Sequence, residues 1–163
     1  MNHLLKDNLG LVTAKRNRLS KVDSFLCTDK LVETKCGEST IQSYAFPLYL
    51  YGGKQDDLFG NNGKSQNINW DALPGWMATI QHITSPITNN FVQPPEVVFY
   101  YIYAILYSNI YREKYQEFLK SDFPRIPFTS DYKTFQYLAI LGEQLIELHL
   151  LKSKLLDHPV SRY

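Results

Sequence analysis

Pro94-Pro-Glu-Val-Val-Phe-Tyr-Tyr-Ile-Tyr-Ala-Ile-Leu-Tyr-Ser108 is the stretch on which the fold turns. Proline suits the first turn of a helix, where its missing N–H has no partner to lose. A run apolar on nearly every face belongs to a helix enclosed on most sides. Its densest part, Val97 to Tyr107, is far shorter than the roughly 20 residues that cross a bilayer. The stretch therefore predicts the central, buried helix of a globular domain.

Toward the C-terminus, Ser108 or Asn109 can cap a second helix, Ile110 to Lys120. Its Tyr111, Tyr115, Phe118 and Leu119 form an apolar stripe opposite Arg112, Glu113, Gln116 and Glu117. Pro124 and Pro127 keep the following segment, Ser121 to Phe128, extended. Ser130 or Asp131 then caps a long last helix with Phe135, Leu138, Leu141, Leu145, Leu148 and Leu151 at helical spacing, acids early and lysines late.

Toward the N-terminus the pattern changes. Residues Trp70 to Ile83 fit a helix only if Pro74 lies in its first turn. Gly52 to Asn67, rich in Gly, Asn, Asp and Lys, shows no periodicity and reads as a mobile surface loop. Its Gly-Gly-Lys lacks the spacing and the strand-loop-helix frame of a phosphate-binding loop. Before it, Leu9-Gly-Leu-Val-Thr13, Ser24-Phe-Leu-Cys-Thr28 and Tyr44-Ala-Phe-Pro-Leu-Tyr-Leu-Tyr51 read as strands. Pro47 places the third at a sheet edge or puts a bulge in it, and Lys35 to Gln42 fits a turn on the sheet. The expectation is a single α+β domain over residues 1–163. Residues 1–52 form a β-rich part with a small mixed or antiparallel sheet, 53–69 a flexible loop, and 70–163 a mainly helical part.

With 163 residues, 44% of them apolar, the chain can bury its own core. Its 17 basic and 16 acidic residues leave a formal charge of +1, so any contact with a polyanion must be local. Cys27 and Cys36 form no CxxC pair and have no second half of a zinc site. They read as reduced, half-buried core thiols. None of the four histidines, His3, His82, His149 and His158, sits in a catalytic pattern, and the acids mostly alternate with lysines on solvent faces. No reaction class emerges. The N-terminus has no apolar stretch long enough for a signal peptide, which makes a bacterial cytoplasm the expected location.

Basic residues concentrate once. Lys15, Arg16, Arg18 and Lys21 fall within seven residues, with Asn17 and Ser20 among them and no acid. Such side chains suit phosphates, and Arg and Asn also match the hydrogen-bonding edges of guanine and adenine. By composition alone, a solvated loop is the plainer reading.

The segments Asn8-Leu-Gly-Leu-Val-Thr-Ala-Lys15, Thr28-Asp-Lys30, Glu33-Thr-Lys-Cys-Gly-Glu-Ser-Thr40, Ser43-Tyr44 and Phe46-Pro-Leu-Tyr-Leu-Tyr51 follow one another in an order that resembles the type ISP restriction-modification C-terminal specificity domain. The resemblance continues through Tyr101-Ile-Tyr-Ala-Ile-Leu-Tyr-Ser108, Tyr111-Arg-Glu-Lys-Tyr115, Phe118-Leu-Lys120, Asp122-Phe-Pro-Arg-Ile-Pro127 and the helix from Leu141-Gly-Glu143 to Leu151. It is weak from Gly53 to Pro94. It implies a domain that recognises double-stranded DNA at the end of a long polypeptide carrying a nuclease, an ATP-driven translocase and an adenine-specific methyltransferase. S-adenosylmethionine, ATP and magnesium would belong to those other domains. This chain has no Asn-Pro-Pro-Tyr signature, cofactor glycine motif or Walker-type loop, so it is expected to be non-catalytic and to have no cofactor of its own.

Under that resemblance, Lys15, Arg16, Arg18, Lys21, Lys30, Lys35 and Lys64 are the phosphate candidates by charge, and Asn17, Ser39, Thr40 and Gln42 the base-edge candidates by side-chain geometry. The β-rich part would face the DNA and the helical part would pack against the methyltransferase. The alternative is a protein-interaction module, with aromatic helices docking a partner and no direct DNA contact; the near-neutral charge speaks for it.

Overall fold

The computed structural model describes residues 2–16, 24–37, 41–52, 63–79, 83–85, 91–92 and 94–157. Its architecture is α+β, with antiparallel strands first and helices after them. The described chain forms two compact units. One comprises residues 1–73 with 116–123, the other 74–115 with 124–163.

The first unit is built on β1 (Gly10–Ala14), the central strand of a three-stranded sheet. It pairs antiparallel with β2 (Leu26–Thr28) on one side and β3 (Ser43–Pro47) on the other. The expected third strand divides at Leu48. Pro47 ends β3, which is an edge strand, and the chain continues as β4 (Tyr49–Tyr51) in a separate ladder with β5 (Lys64–Gln66). Strand β5 corrects the reading of residues 53–69 as loop throughout: three exposed polar residues carry no strand pattern, and they are extended because β4 offers its backbone to them. Residues 53–62 lie outside the described set.

Buried Asn8 fixes where β4 runs. Its Nδ2 donates to the Tyr49 carbonyl at 2.8 Å and its Oδ1 accepts from the Tyr49 N–H at 3.0 Å, so the amide acts as a strand partner for one residue. Leu4, Val12, Ala14, Phe25, Leu48, Tyr49 and, from α3 (Gln116–Ser121), Leu119 fill this unit's core. Both cysteines are free thiols. Cys27 is partly buried as expected, but Cys36 is exposed, because it sits in a turn closed by its own N–H on the Glu33 carbonyl.

The second unit is organised by α1 (Pro94–Tyr107), which starts at the proline the sequence nominates. It packs on α4 (Tyr132–His149), capped by Asp131, whose carboxylate accepts from the Thr134 N–H at 2.8 Å. Tyr101 meets Phe135, Tyr100 meets Gly142, and Tyr103 and Tyr107 meet His149. These contacts reach from the first turn of α4 to its last residue. The buried line of α4 is Phe135, Ala139, Gly142, Glu143 and Ile146, not the leucine stripe; Leu138, Leu141, Leu145 and Leu148 flank it half-buried and Leu151 is exposed. Small residues on that line let the helices approach closely.

The segment between these helices departs from expectation in one place. Ser108 caps α2 (Asn109–Lys114) as predicted, but the helix breaks at Tyr115, where the backbone turns to φ −111° and ψ 15°, and α3 begins at Gln116. The break falls where the chain passes from one unit to the other. The proline segment is extended, and two tyrosines hold it: the Tyr111 hydroxyl donates to the Arg125 carbonyl, and the Tyr101 hydroxyl donates to the Pro127 carbonyl while accepting from the Thr129 N–H. Residues 70–83 do not form one helix. Pro74 separates short 3-10 turns at Trp70–Ala72 and Gly75–Thr79, and Ile83–Thr84 is β6, paired with β7 (Phe91–Val92). Among the described residues, no helix is long and apolar enough to cross a membrane.

Candidate nucleic-acid interface

The central strand β1 leads directly into the basic segment. Ala14, its last residue, is opposite Ser43, and the register carried one step further sets Lys15 across from Gln42. Lys15, Arg16 and Gln42 are all exposed. Arg18, Lys21 and Asn17, and likewise Ser39 and Thr40, lie outside the described residues.

Lys35 joins this end of the sheet through its turn. The Glu33 side chain accepts the Lys35 N–H at 2.7 Å, and the Cys36 N–H closes the turn on the Glu33 carbonyl. Ser43 ties the turn to β3: its N–H donates to the Thr34 carbonyl at 2.7 Å and its Oγ accepts from the Gly37 N–H at 3.1 Å. Ser24 Oγ, two residues before β2, donates to the Gly37 carbonyl at 3.5 Å. The backbone around Lys35 is therefore held on both sides while its ammonium stays in solvent. Three cations and one amide thus converge at one end of the sheet, although they are far apart in sequence.

The structure does not bring Lys30 and Lys64 to that end. Lys30 follows β2, whose Thr28 pairs with Gly10, the first residue of β1, so it stands at the opposite end. There its ammonium is 3.5 Å from the Asp29 carboxylate, and a cleft of about 630 Å³ is lined by Leu4, Leu5, Lys6, Asp7, Asp29, Lys30 and Leu31. Acids and bases alternate in that cleft, so it has no bias for an anion. Lys64 lies on β5 with its ammonium 3.7 Å from the centre of the Tyr49 ring, a contact that engages it within its own ladder. Beyond the same end, burial first and the nearby Asp7 carboxylate second push the Tyr51 phenol up, and its hydroxyl donates to the Asp7 carbonyl.

Composition did not nominate Tyr44 and Phe46. Both project from β3 on the face that carries Leu11 and Thr13 of β1, and Phe123 stands edge-on to each at 5.3 and 5.5 Å. The alternation along β3 was the available signal: it leaves these two aromatics exposed while Ala45 and Pro47 point the other way.

An antiparallel sheet thus gathers exposed cations and an amide at one end, in a chain that also carries a helical unit. The type ISP C-terminal specificity domain matches residues 1–163, and the chain belongs to that family. A solved structure described as a DrdV–DNA complex, determined by cryo-electron microscopy, is similar to it at a TM-score of 0.57 and 25% sequence identity. The likeness covers 88% of this chain and 12% of the DrdV chain, so this chain spans a small part of that protein. No curated protein matches significantly.

Proposed function

We propose that the chain is the DNA target-recognition domain of a bacterial restriction-modification enzyme. In this reading it grips double-stranded DNA at the sheet end that carries Lys15, Arg16, Lys35 and Gln42. The observation that carries the proposal is the match of the whole chain to a specificity-domain family, and the DNA bound in the DrdV complex supports it. The lysines and arginine would hold phosphates and set register, and Gln42, with its paired donor and acceptor, would meet a base edge. Arg18, Lys21, Asn17, Ser39 and Thr40 belong to the same proposal by sequence proximity, whereas Lys30 and Lys64 are its weakest members on their placement. The domain would orient an adenine-specific methyltransferase and a nuclease in the same cytoplasmic enzyme. S-adenosylmethionine, ATP and magnesium would serve those parts, and this domain would catalyse nothing itself.

The test is the salt dependence of duplex binding by the 163-residue chain. Each phosphate contact contributes a slope of about −0.9 in log affinity against log salt. The double variant Lys15→Ala, Arg16→Ala removes two exposed side chains, so its slope should be shallower by about 1 to 2 units with the fold intact. Duplex binding that ignores salt, or a slope unchanged in the double variant, would overturn the interface; no duplex binding at all would leave the protein-interaction reading standing instead.

A further inference from the structure

Residues Tyr44 and Phe46 form an exposed aromatic pair that is held in place without being covered. In the pairs Tyr44↔Thr13 and Phe46↔Leu11 they share one face of the sheet, and Cys27, opposite Leu11, extends that face to β2. Phe123 meets both rings nearly at right angles, at 82° and 89°. Yet Tyr44 remains 39% and Phe46 42% exposed. Edge-to-face contacts favour single ring orientations, so a ligand that covered these rings would meet little remaining side-chain freedom.

Placement selects the ligand. Tyr44 of β3 is two residues from Gln42, which precedes the strand, and its partner Thr13 of β1 is two residues from Lys15, which follows that strand. The aromatic pair therefore borders the cationic end of the sheet, and a polyanion held by Lys15, Arg16 and Lys35 would pass beside it. The apolar feature that duplex DNA presents in its major groove is the C5-methyl group of thymine. We infer that Tyr44, backed by Phe46 and Phe123, is the apolar reader of a thymine methyl group in a major groove laid across this end of the sheet. This rests on the DNA-recognition reading above and adds a specificity-determining side chain to it.

The experiment uses duplexes that the 163-residue chain selects from a randomised pool, each then synthesised again with uracil in place of thymine. Losing one buried methyl should weaken binding by the unaltered protein about fourfold. Tyr44→Ser should bind both duplexes alike, with the salt slope unchanged. Tyr44→Phe keeps the ring and should keep the preference for thymine, which guards against a folding defect in the serine variant. The double variant Lys15→Ala, Arg16→Ala should bind both duplexes more weakly while keeping their ratio.

Equal affinity of the unaltered protein for the two duplexes, or a selected sequence with no A·T pair, would overturn the assignment of Tyr44 and leave DNA recognition in place. A preference for thymine that survives in Tyr44→Ser would move the methyl reader elsewhere. Salt-independent binding by every variant would instead overturn the DNA reading itself.

Discussion

Replacing Gly142 by alanine should destabilise the helical unit even though alanine is the better helix former. Gly142 stands on the buried line of α4 where that helix meets α1. A Cβ built there would collide with the carbonyl oxygen of Tyr100, and would lie 2.6 Å from the carbonyl carbon and 3.1 Å from the Cα of that residue. Carbon atoms in ordinary contact are about 3.5 to 4.0 Å apart, so the helices would have to separate by roughly 1 Å. The obstacle is the backbone of a helix, which cannot rotate aside as a side chain could. Separation would loosen the core beside it, including Tyr101, Tyr103, Phe135 and Ile146, all fully or almost fully buried. Overpacking of this kind costs about 1–3 kcal/mol and occasionally more, against a propensity gain of about 1 kcal/mol for alanine. Because main chain blocks the methyl group, the upper part of the range applies, and a net loss of about 1–2 kcal/mol is expected. Urea unfolding followed by circular dichroism measures it, with Gln144→Ala, at an exposed position of the same helix, as the reference. A Gly142→Ala protein as stable as the Gln144→Ala reference would refute the close approach of α1 and α4.

Leu151 adopts φ 59° just past the end of α4, where the Lys152 N–H bonds to the Glu147 carbonyl at 2.8 Å and the Leu151 N–H to the Leu148 carbonyl at 3.1 Å. That geometry favours glycine, and at 80% exposure the leucine loses no burial on replacement. Relieving about 1–2 kcal/mol of left-handed strain, less about 1 kcal/mol for the freer unfolded chain, should make Leu151→Gly up to about 1 kcal/mol more stable than Leu151→Ala in thermal melts; the reverse order would refute the strain. Glu143 is buried, with Oε2 lacking a hydrogen-bond partner among the described residues. Burial above all pushes its carboxyl up, the Glu147 charge adds to that, and a Ser85 hydrogen bond opposes it. A folded value above the unfolded one means that its contribution is fully present below the unfolded value, near pH 4.3, and is lost as pH rises through the folded one. Across that window the unaltered protein should lose stability relative to Glu143→Gln in urea midpoints, and parallel pH profiles would show that the carboxylate is solvated.

What the sequence discloses and what it hides follow from how local each determinant is. Helix α1 was legible because two prolines and an apolar run act within one segment. The Ser108 and Asp131 caps were legible for the same reason, since each cap bonds to a backbone N–H three residues on. Strand β5 was not, because its residues are extended only by virtue of β4, and neither was the buried line of α4, where Ala139 and Gly142 matter for being small rather than apolar. At the candidate interface, the cluster around Lys15 was visible in the sequence, but its meeting with Gln42 depends on the register of β1 and β3, and the position of Lys35 on hydrogen bonds from Ser43 and Ser24.

The division of the chain into compact units follows packing rather than sequence order. A boundary near residue 70 assigns every later residue to the helical part, yet Gln116–Phe123 belongs to the unit of the sheet. The amphipathic pattern from Ile110 to Lys120 could not reveal this, because a helical stripe does not say against which body it packs. Leu119 is buried in the core of the sheet unit, and Phe123 meets the two exposed aromatics of β3. The segment expected to serve support alone thus supplies the ring that meets Tyr44 and Phe46, which lie 79 and 77 positions before Phe123 in the chain, so the setting of these two aromatics on the sheet depends on residues far from them in sequence.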